Sequence, residues 1–358
     1  MNAPFRPVTV TVRACDLAQR DERTRLEAYV AGHPHGTAFH RPAWTLAAAK
    51  GTGNTARTLI AERGTDVVGL LPLLDIASWL FGRALVSNGF AVGGGVLADD
   101  DAVAASLIAE AEELALATHC PSLELRGGYL PEARKAWSVT AAAHCGFVRP
   151  LADDDEAQLL AIPRKQRAEV RKSLAGDLTV EIGTSRADRA AHYAVYAECV
   201  RNLGTPVFPR RLFGEVLDAF GAEADILTVR HNGQPVASVL SLYHAGAVLP
   251  YWGGGTPNAR SLRANDRMYY ELMLHARRRG CNRFDFGRSK TGSGPYEFKR
   301  NWGFEPEPLR YATWTAPGAQ PRNTDPTSSS HSAKIDLWKR LPLPVANLLG
   351  PWISRGLG

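Results

Sequence analysis

The 358-residue sequence has only five cysteines, an odd number without any Cys-x-x-Cys spacing. A disulfide framework is therefore not indicated, and we expect a reducing compartment. No run of about 18 apolar residues occurs, and the opening stretch 1–6 lacks the apolar segment of a signal peptide. Because 45% of the residues are hydrophobic, intrinsic disorder is excluded. We expect a globular, cytoplasmic protein of about two domains.

Several common catalytic motifs are also missing. The chain has no phosphate-binding Gly-x-x-x-x-Gly-Lys-Ser/Thr loop, no dinucleotide-binding glycine fingerprint, no Gly-x-Ser-x-Gly elbow and no His-Glu-x-x-His pair. These absences exclude the commoner NTPases, dehydrogenases, serine hydrolases and zinc peptidases. The histidines lack metal-ligand spacing, so we expect no metal site. Cys199 is the one cysteine to consider as a nucleophile, although a buried structural thiol is the favoured interpretation.

Charge is distributed unevenly along the chain. Residues 1–163 carry 14 Lys/Arg against 19 Asp/Glu, a net charge of −5, whereas residues 164–358 carry 28 against 17, a net charge of +11. The second half is therefore expected to bind an anionic molecule. Arginine supplies 34 of the 42 cations, and codon bias would explain that excess but not its position.

Two stretches, 59–127 and 227–287, follow the same order of strand, turn, strand, strand, glycine-rich loop, helix and strand, with glycine triplets at 93–95 and 253–255. A duplicated α/β unit is the economical explanation. We predict an N-terminal domain over 1–162, a C-terminal domain over 163–315, a polar linker over 316–332 and an apolar tail over 333–358.

Local patterns support these assignments. Asn232-Gly233 between two β-rich runs predicts a two-residue hairpin. After the second glycine triplet, a helix is predicted with Asn265 or Asp266 as its cap and Gly280 as its end. Its buried stripe is expected to be Met268, Leu272 and Ala276.

A basic helix is predicted over 163–176, between the two repeats. Arg164, Arg167 and Arg171 fall on one face of it, either as a solvated surface or as an anion-binding face in a cleft between duplicated domains. Together with the arginines at 277–279, they also allow a different class of protein, one that binds nucleic acid.

The densest cluster of chemically capable residues lies at 284–304. A strand carries Asp285 and ends at Gly287, and the following loop offers free backbone N–H groups beside four cations. Three aromatic residues are interleaved with the cations. A walled pocket for phosphate or an oxyanion is favoured over a mobile surface loop. The cations and aromatics are Arg288, Lys290, Lys299, Arg300, Tyr296, Phe298 and Trp302.

The order Asp285-Phe286-Gly287, then Gly294-x-Tyr296-x-Phe298-Lys299-x-x-Trp302-Gly303, resembles the closing motif of the FemAB-like branch of the GNAT superfamily. Phe39-His40-x-x-x-Trp44 and Asn265 at the start of the long helix share the resemblance, which covers about residues 9–355. The tail Leu337-Trp338-Lys339-Arg340-Leu341-Pro342 resembles FemAB-related proteins associated with exosortase/PEP-CTERM loci.

This resemblance implies an α/β (α+β) fold of two tandem GNAT-like domains, the acyl-CoA N-acyltransferase fold, with a central cleft. It implies an N-acyl or aminoacyl transferase forming an amide on an amine of a cell-envelope or exopolysaccharide-related precursor. The expected catalytic residues are Lys299, Tyr296 and Asp285, the last either a proton acceptor or a structural carboxylate. The expected substrate-binding residues are His40, Trp44, Arg164, Arg167, Arg171, Tyr251, Trp252, Asn265, Arg288, Phe298 and Trp302.

The acyl donor can be aminoacyl-tRNA or acyl-CoA, and the sequence does not decide between them. No tightly bound cofactor is expected. CoA-binding GNAT domains have glycines before the long helix, and Arg263 and Asn265 stand at those positions here. Their side chains obstruct the close approach of a pyrophosphate to the backbone. The heptad-rich coiled-coil arm of some Fem ligases has no counterpart here, so docking of tRNA has no direct support. The alternatives are a CoA-dependent N-acyltransferase and a non-catalytic assembly factor of a polysaccharide-export or protein-sorting system.

Prolines at 342, 344 and 351 interrupt the apolar tail, so it cannot cross a bilayer as one helix. We expect it to pack back on the protein. The alternative is a peripheral contact with the inner membrane through Trp338, Lys339, Arg340 and Trp352.

Overall fold

A computed structural model describes residues 9–132, 134–320 and 332–358. The segment 1–6 and residues 321–331 of the predicted linker lie outside the described residues. The chain forms two compact units. Unit 1 comprises Met1–Thr140, Arg310–Asn323 and Gly356–Gly358, and unit 2 comprises Ala141–Leu309 and Thr324–Arg355.

The strands are β1 (Val10–Cys15), β2 (Thr55–Arg63), β3 (Asp66–Ser78), β4 (Gly82–Ser87), β5 (Leu97–Ala98), β6 (Ser122–Arg126), β7 (Trp137–Gly146), β8 (Val148–Pro150), β9 (Thr179–Gly183), β10 (Ala224–His231), β11 (Gln234–His244), β12 (Ala247–Gly255), β13 (Arg283–Asp285), β14 (Ser289–Lys290) and β15 (Glu307–Thr315). The helices are α1 (Arg20–Gly32), α2 (Pro42–Thr52), α3 (Asp101–Ala117), α4 (Asp155–Ala161), α5 (Arg164–Leu174), α6 (Arg186–Leu203), α7 (Arg210–Phe220), α8 (Ala259–Leu262), α9 (Ala264–Arg278), α10 (Gly294–Asn301), α11 (Ser332–Arg340) and α12 (Leu343–Ser354).

In unit 1, the strands follow the order β1-β2-β3-β4-β6-β15, and all pairs are antiparallel except β4 with β6. Helix α3 connects these two parallel strands and buries one apolar face against β2 and β3. The side chain of Asp100 caps α3 by accepting the N–H of Val103. A carboxylate therefore occupies the positive end of the helix dipole.

Trp44 belongs to the core of unit 1. Its side chain is fully buried, its ring meets Phe39 edge-on with centroids 4.9 Å apart, and its Nε1 donates to the carbonyl of Gly89.

Unit 2 has a second sheet in the order β8-β13-β12-β11-β10-β9. The predicted hairpin is confirmed between β10 and β11, where Asn232 and Gly233 both adopt positive φ. Unit 2 has a core cluster of its own, and the predicted stripe of Met268, Leu272 and Ala276 on α9 is buried in it.

The predicted repeat is confirmed in the order of the elements: β2-β3-β4-α3-β6 in unit 1 matches β10-β11-β12-α9-β13 in unit 2. In each unit the helix connects two parallel strands that pair over only two residues. The equivalence of the two glycine triplets is wrong, however. Residues 253–255 end β12, whereas residues 93–95 lie in a loop after β4.

The predicted cap of α9 is also wrong. The helix begins at Ala264, its N-cap is Arg263 in the left-handed region at φ 56°, and no side chain caps it. Asp266 instead bonds to Gln166 of α5, and Asn265 is turned towards Gly255. The predicted end is confirmed, since α9 stops at Arg278 and is followed by Gly280 at φ 83°.

The C-terminal helices pack against α6, as expected. Arg201 donates to the carbonyl of Lys339 at 3.0 Å, and Ser354 donates to the carbonyl of Val207 at 2.9 Å. Leu348 and Trp352 remain exposed. Among the described residues, no helix combines the length and hydropathy needed to cross a membrane.

The predicted domain boundaries stay predictions. The boundary at 162/163 falls between α4 and α5, inside unit 2, and the boundary at 315/316 follows the last residue of β15.

We expect Trp44→Ala to lower the free energy of unfolding by about 3–5 kcal/mol, because it removes a buried indole and leaves a cavity. Chemical denaturation followed by circular dichroism measures this. Trp79→Ala is the matched control, since Trp79 is in the same unit but 75% exposed, and it should change the value by less than about 0.5 kcal/mol. Equal effects of the two substitutions would contradict the core assignment.

Candidate active site

The strands β12 and β13 diverge soon after they meet. They pair in parallel only at Ala247↔Arg283 and Val248↔Phe284, while β12 continues to Gly255. A bulge assists the divergence, because the register with β11 passes from Leu240↔Trp252 to Ser241↔Pro250 and makes Tyr251 the additional residue. Bulges bend a strand and are common beside active sites. Beyond Val248, the edge of β12 that faces away from β11 has no β13 partner among the described residues.

The end of β12 can be built only from glycine. A Cβ on Gly254 would lie 2.5 Å from the Sγ of Cys199, and one on Gly255 would lie 2.7 Å from the Oδ1 of Asn265. Both distances are too short for a side chain. Backbone and functional groups therefore approach each other closely at this point. Burial raises the pKa of the Cys199 thiol, which disfavours the nucleophilic thiolate.

Three buried polar atoms of this region of unit 2 have no hydrogen-bond partner among the described residues. They are the Oγ1 of Thr256, the Oδ1 of Asn265 and the Nε1 of Trp302. An unsatisfied buried polar group costs about 1–3 kcal/mol, so such groups commonly mark a place for a ligand or water.

The N-terminus of α9 is covered by α5. Glu169 pairs with Arg263, and Gln166 donates to Asp266. Burial raises the pKa of Asp266 to about 6, so its carboxylate is still mainly ionised at neutral pH. Two acidic side chains thus stand where a free helix N-terminus would attract a phosphate.

Lys299 is buried on α10, with 8% of its surface exposed. Its Nζ donates to the carbonyls of Gly287 and Arg288 at 3.1 and 3.0 Å. The rings of Phe147 and Phe286 lie 5.2 and 5.3 Å from the same nitrogen. Lys299 therefore fixes the turn that follows β13.

Asp285 secures the same turn from the other side. Its Oδ1 accepts the N–H of Gly287 at 2.9 Å. Burial lowers the pKa of Lys299 to about 7 and raises the pKa of Asp285, while the opposite charge of each partner opposes these shifts. Lys299 and Asp285 are thus close enough to interact electrostatically, and both bond to backbone, while their catalytic roles stay predictions.

An aromatic cluster joins these groups to β12. The ring of Tyr269 packs on Phe286, Phe298 and Trp302, with centroids 4.6, 5.7 and 6.3 Å apart. A Cβ on Gly253 would lie 3.4 Å from the Tyr269 hydroxyl. Sequence reasoning missed Tyr269. The available signal was its place directly beside Met268 on the predicted core-facing side of the helix.

The structure brings Asp285, Lys299, Phe298 and Trp302 into one cluster, and Tyr296 joins it through Phe147, whose ring centroid lies 5.4 Å from its own. Tyr251 and Trp252 lie on β12, and Trp252 is buried against Phe213.

The predicted cationic residues are more dispersed. Arg164, Arg171 and Arg288 are exposed, while Arg167 is half-buried and donates to the carbonyl of Leu160. His40 and Trp44 lie in unit 1, where the Nδ1 of His40 is 2.8 Å from the Thr37 hydroxyl. In the 277–279 cluster, Arg277 pairs with Asp155, and Arg279 with Asp225.

Residues 163–300 match the family model described as an acetyltransferase (GNAT) domain. This stretch is similar to GNAT domains. Solved structures extend the likeness. FemX has a TM-score of 0.63 at 16% identity, covering 80% of this chain and 95% of its own. A tandem GNAT protein from the clavulanic acid biosynthesis pathway has a TM-score of 0.56 at 14% identity, covering 88% and 100%.

The C-terminal domain of a putative lysylphosphatidylglycerol synthetase from Agrobacterium fabrum has a TM-score of 0.56 at 13% identity, covering 84% and 93%. Identities this low show the fold alone. The predicted fold class is confirmed, and the described residues contain no coiled-coil arm. No curated protein matches the chain.

The buried Lys299 makes stability depend on pH. Its pKa falls from 10.5 to about 7 on folding, so between these values the unfolded chain binds more protons than the folded one. The free energy of unfolding therefore gains a contribution that rises with pH over this range. We expect the free energy of unfolding of the native protein minus that of Lys299→Met to increase from pH 7 to pH 9 in urea titrations.

Lys290→Met is the matched control, because Lys290 is an exposed lysine in the same turn region. It should follow the native protein at every pH. A difference between native protein and Lys299→Met that is flat or shrinks as the pH rises would contradict the burial of a titrating amine.

Proposed function

We propose that the protein is an N-acyl or aminoacyl transferase that forms an amide on an amine of a cell-envelope or exopolysaccharide-related precursor. The observation that carries this proposal is the short pairing of β12 with β13 in the stretch that matches the GNAT model, which leaves the edge of β12 beyond Val248 without a β13 partner among the described residues, close to unsatisfied polar atoms. The chemistry needs one activated carbonyl and one amine held side by side, and proximity supplies much of the rate.

In the proposed reaction, the acceptor nitrogen attacks the carbonyl carbon of an ester or thioester. The new C–N bond forms, the C–O or C–S bond breaks, the nitrogen loses a proton, and the leaving oxygen or sulfur gains one. The backbone edge of β12 beyond Val248 can bind an extended donor as a further strand would. Backbone N–H groups along the same edge can stabilise the developing oxyanion.

The side-chain roles follow from the contacts. Lys299 is proposed as a positioning residue, because its hydrogen bonds go to the carbonyls of the turn at 287–288. Asp285 is proposed to accept the proton of the amine, since burial raises its pKa and makes it a better base. Tyr296 is proposed to return a proton to the leaving group.

The donor is proposed to be aminoacyl-tRNA. Glu169 and Asp266 at the N-terminus of α9 would repel the pyrophosphate of CoA in its usual place, which supports this preference. The CoA-dependent alternative is supported by the match to the acetyltransferase model. Each donor gives a distinct result in the same assay.

The setting of the reaction is also a proposal. The closing motif and the tail support a place among the FemAB-related proteins associated with exosortase/PEP-CTERM systems. Cytoplasmic location with peripheral contact to the inner membrane is supported by exposed Leu337, Leu348 and Trp352 on helices that also carry Lys339 and Arg340.

The test supplies the purified protein with radiolabelled aminoacyl-tRNA or acyl-CoA and an extract of envelope precursors. We expect an alkali-stable labelled product, because amides survive conditions that hydrolyse esters. Lys299→Ala should lower the rate by about 100-fold, since loss of the anchored turn misplaces the reacting groups.

Lys290→Ala is the matched control and should retain the native rate. Circular dichroism must show that both variants are folded. Full turnover by folded Lys299→Ala would remove Lys299 from the mechanism, and no labelled amide from either donor would contradict the proposed function.

A further inference from the structure

A second feature of unit 2 is a cavity of about 220 Å³ between α6 and α7. At about 30 Å³ per molecule of liquid water, this volume corresponds to roughly seven waters. Its walls are formed largely by the apolar and aromatic side chains of Tyr193, Phe213, Leu217 and Ile226. A cavity of this size and lining can hold a small organic molecule.

His192 also lines the cavity, and only 1% of its surface is exposed. Its Nδ1 lies 3.1 Å from the Oγ of Ser238, which in turn lies 3.1 Å from the Oγ1 of Thr228. Its Nε2 is buried without a hydrogen-bond partner among the described residues. Burial lowers the pKa of His192 to about 3, so the ring is neutral and adds no charge to the wall of the cavity.

Three arginines line the solvent side of the same cavity: Arg186, Arg189 and Arg210. Arg189 is paired with Asp218 at 2.6 Å. Arg186 and Arg210 are exposed and have no carboxylate partner among the described residues. The guanidinium of Arg210 lies over the ring of Tyr193, 4.6 Å from its centroid.

We propose that the cavity between α6 and α7 binds a small carboxylate with an apolar or aromatic body. The body would contact the apolar walls, and the carboxylate would pair with Arg186 and Arg210. The edge of a guanidinium offers two N–H groups that match the two oxygens of a carboxylate.

This proposal is independent of the transferase proposal. Its groups lie on α6, α7 and β10, and none of them was assigned a part in the transfer reaction. Either proposal can fail while the other holds.

The first experiment compares three probes of nearly equal shape by isothermal titration calorimetry: 3-phenylpropanoate, 3-phenylpropanamide and 3-phenylpropylamine. We expect saturable binding of the carboxylate with one site per chain, binding at least about tenfold weaker for the neutral amide, and none for the cationic amine. Equal affinity for carboxylate and amide, or no saturable binding of the carboxylate, would overturn the proposal.

The second experiment fills the cavity from within. Gly214 lines it, and a Cβ at that position would meet only the Nη1 of Arg189, at 3.8 Å. Gly214→Leu should therefore abolish binding of 3-phenylpropanoate while the melting temperature stays equal or rises, because leucine favours a helix more than glycine does. Undiminished binding to folded Gly214→Leu would place the ligand elsewhere.

The third experiment uses two neighbouring arginines of α7. Arg210→Gln should weaken binding of 3-phenylpropanoate by about tenfold or more. Arg211→Gln makes the same change of charge one residue away, where the side chain pairs with Glu215 outside the cavity lining, and should alter affinity by less than twofold. Equal effects of the two variants would show general electrostatic attraction and overturn the assigned site.

Discussion

The hydrogen bonds from one buried ammonium to two backbone carbonyls hold the candidate site together. The carbonyls of Gly287 and Arg288 lie just past the end of β13. Lys299 satisfies both, and Asp285 satisfies the N–H of Gly287. Burial of the ammonium is unfavourable by itself, and carbonyl dipoles, two aromatic rings and a nearby carboxylate offset only part of the penalty, because the pKa of Lys299 stays lowered to about 7. The turn leads the chain from β13, which pairs with β12, to β14, which pairs with β7.

The sequence predicted the features that are set by residues close together in the chain. The Asn232-Gly233 hairpin needs two residues that tolerate positive φ, and the stripe on α9 needs only helical spacing. The duplicated order of elements was predictable for the same reason. The cap of α9 was not, because Asp266 bonds instead to Gln166, 100 residues earlier in the chain.

The contacts of the candidate site residues were not predictable from the sequence, and their roles stay predictions. The motif placed Lys299 near Asp285, yet nothing in the motif tells whether an ammonium faces a ligand or two carbonyls. Tyr269 was missed because a tyrosine beside a core stripe has no distinctive spacing. The bulge at Tyr251 was missed because register is set by pairing with β11, a tertiary property. The glycine triplets looked equivalent because amino-acid composition does not indicate where a strand ends.

The two copies of the fold have acquired different helix termini, and this difference bears on which of them can bind an anionic donor. In unit 1, Asp100 caps α3 with its own side chain and Asp101 follows it, so the positive end of the dipole is neutralised from within the helix. In unit 2, α9 has no side-chain cap, and its acidic neighbour Glu169 comes from α5. A cover supplied by a separate element can be displaced without unfolding the helix it covers, whereas an internal cap cannot. Displacing α5 would remove Glu169 but leave Asp266 in the first turn of α9, so an anionic group would still meet a carboxylate at this terminus, in agreement with the proposed preference for a donor other than CoA.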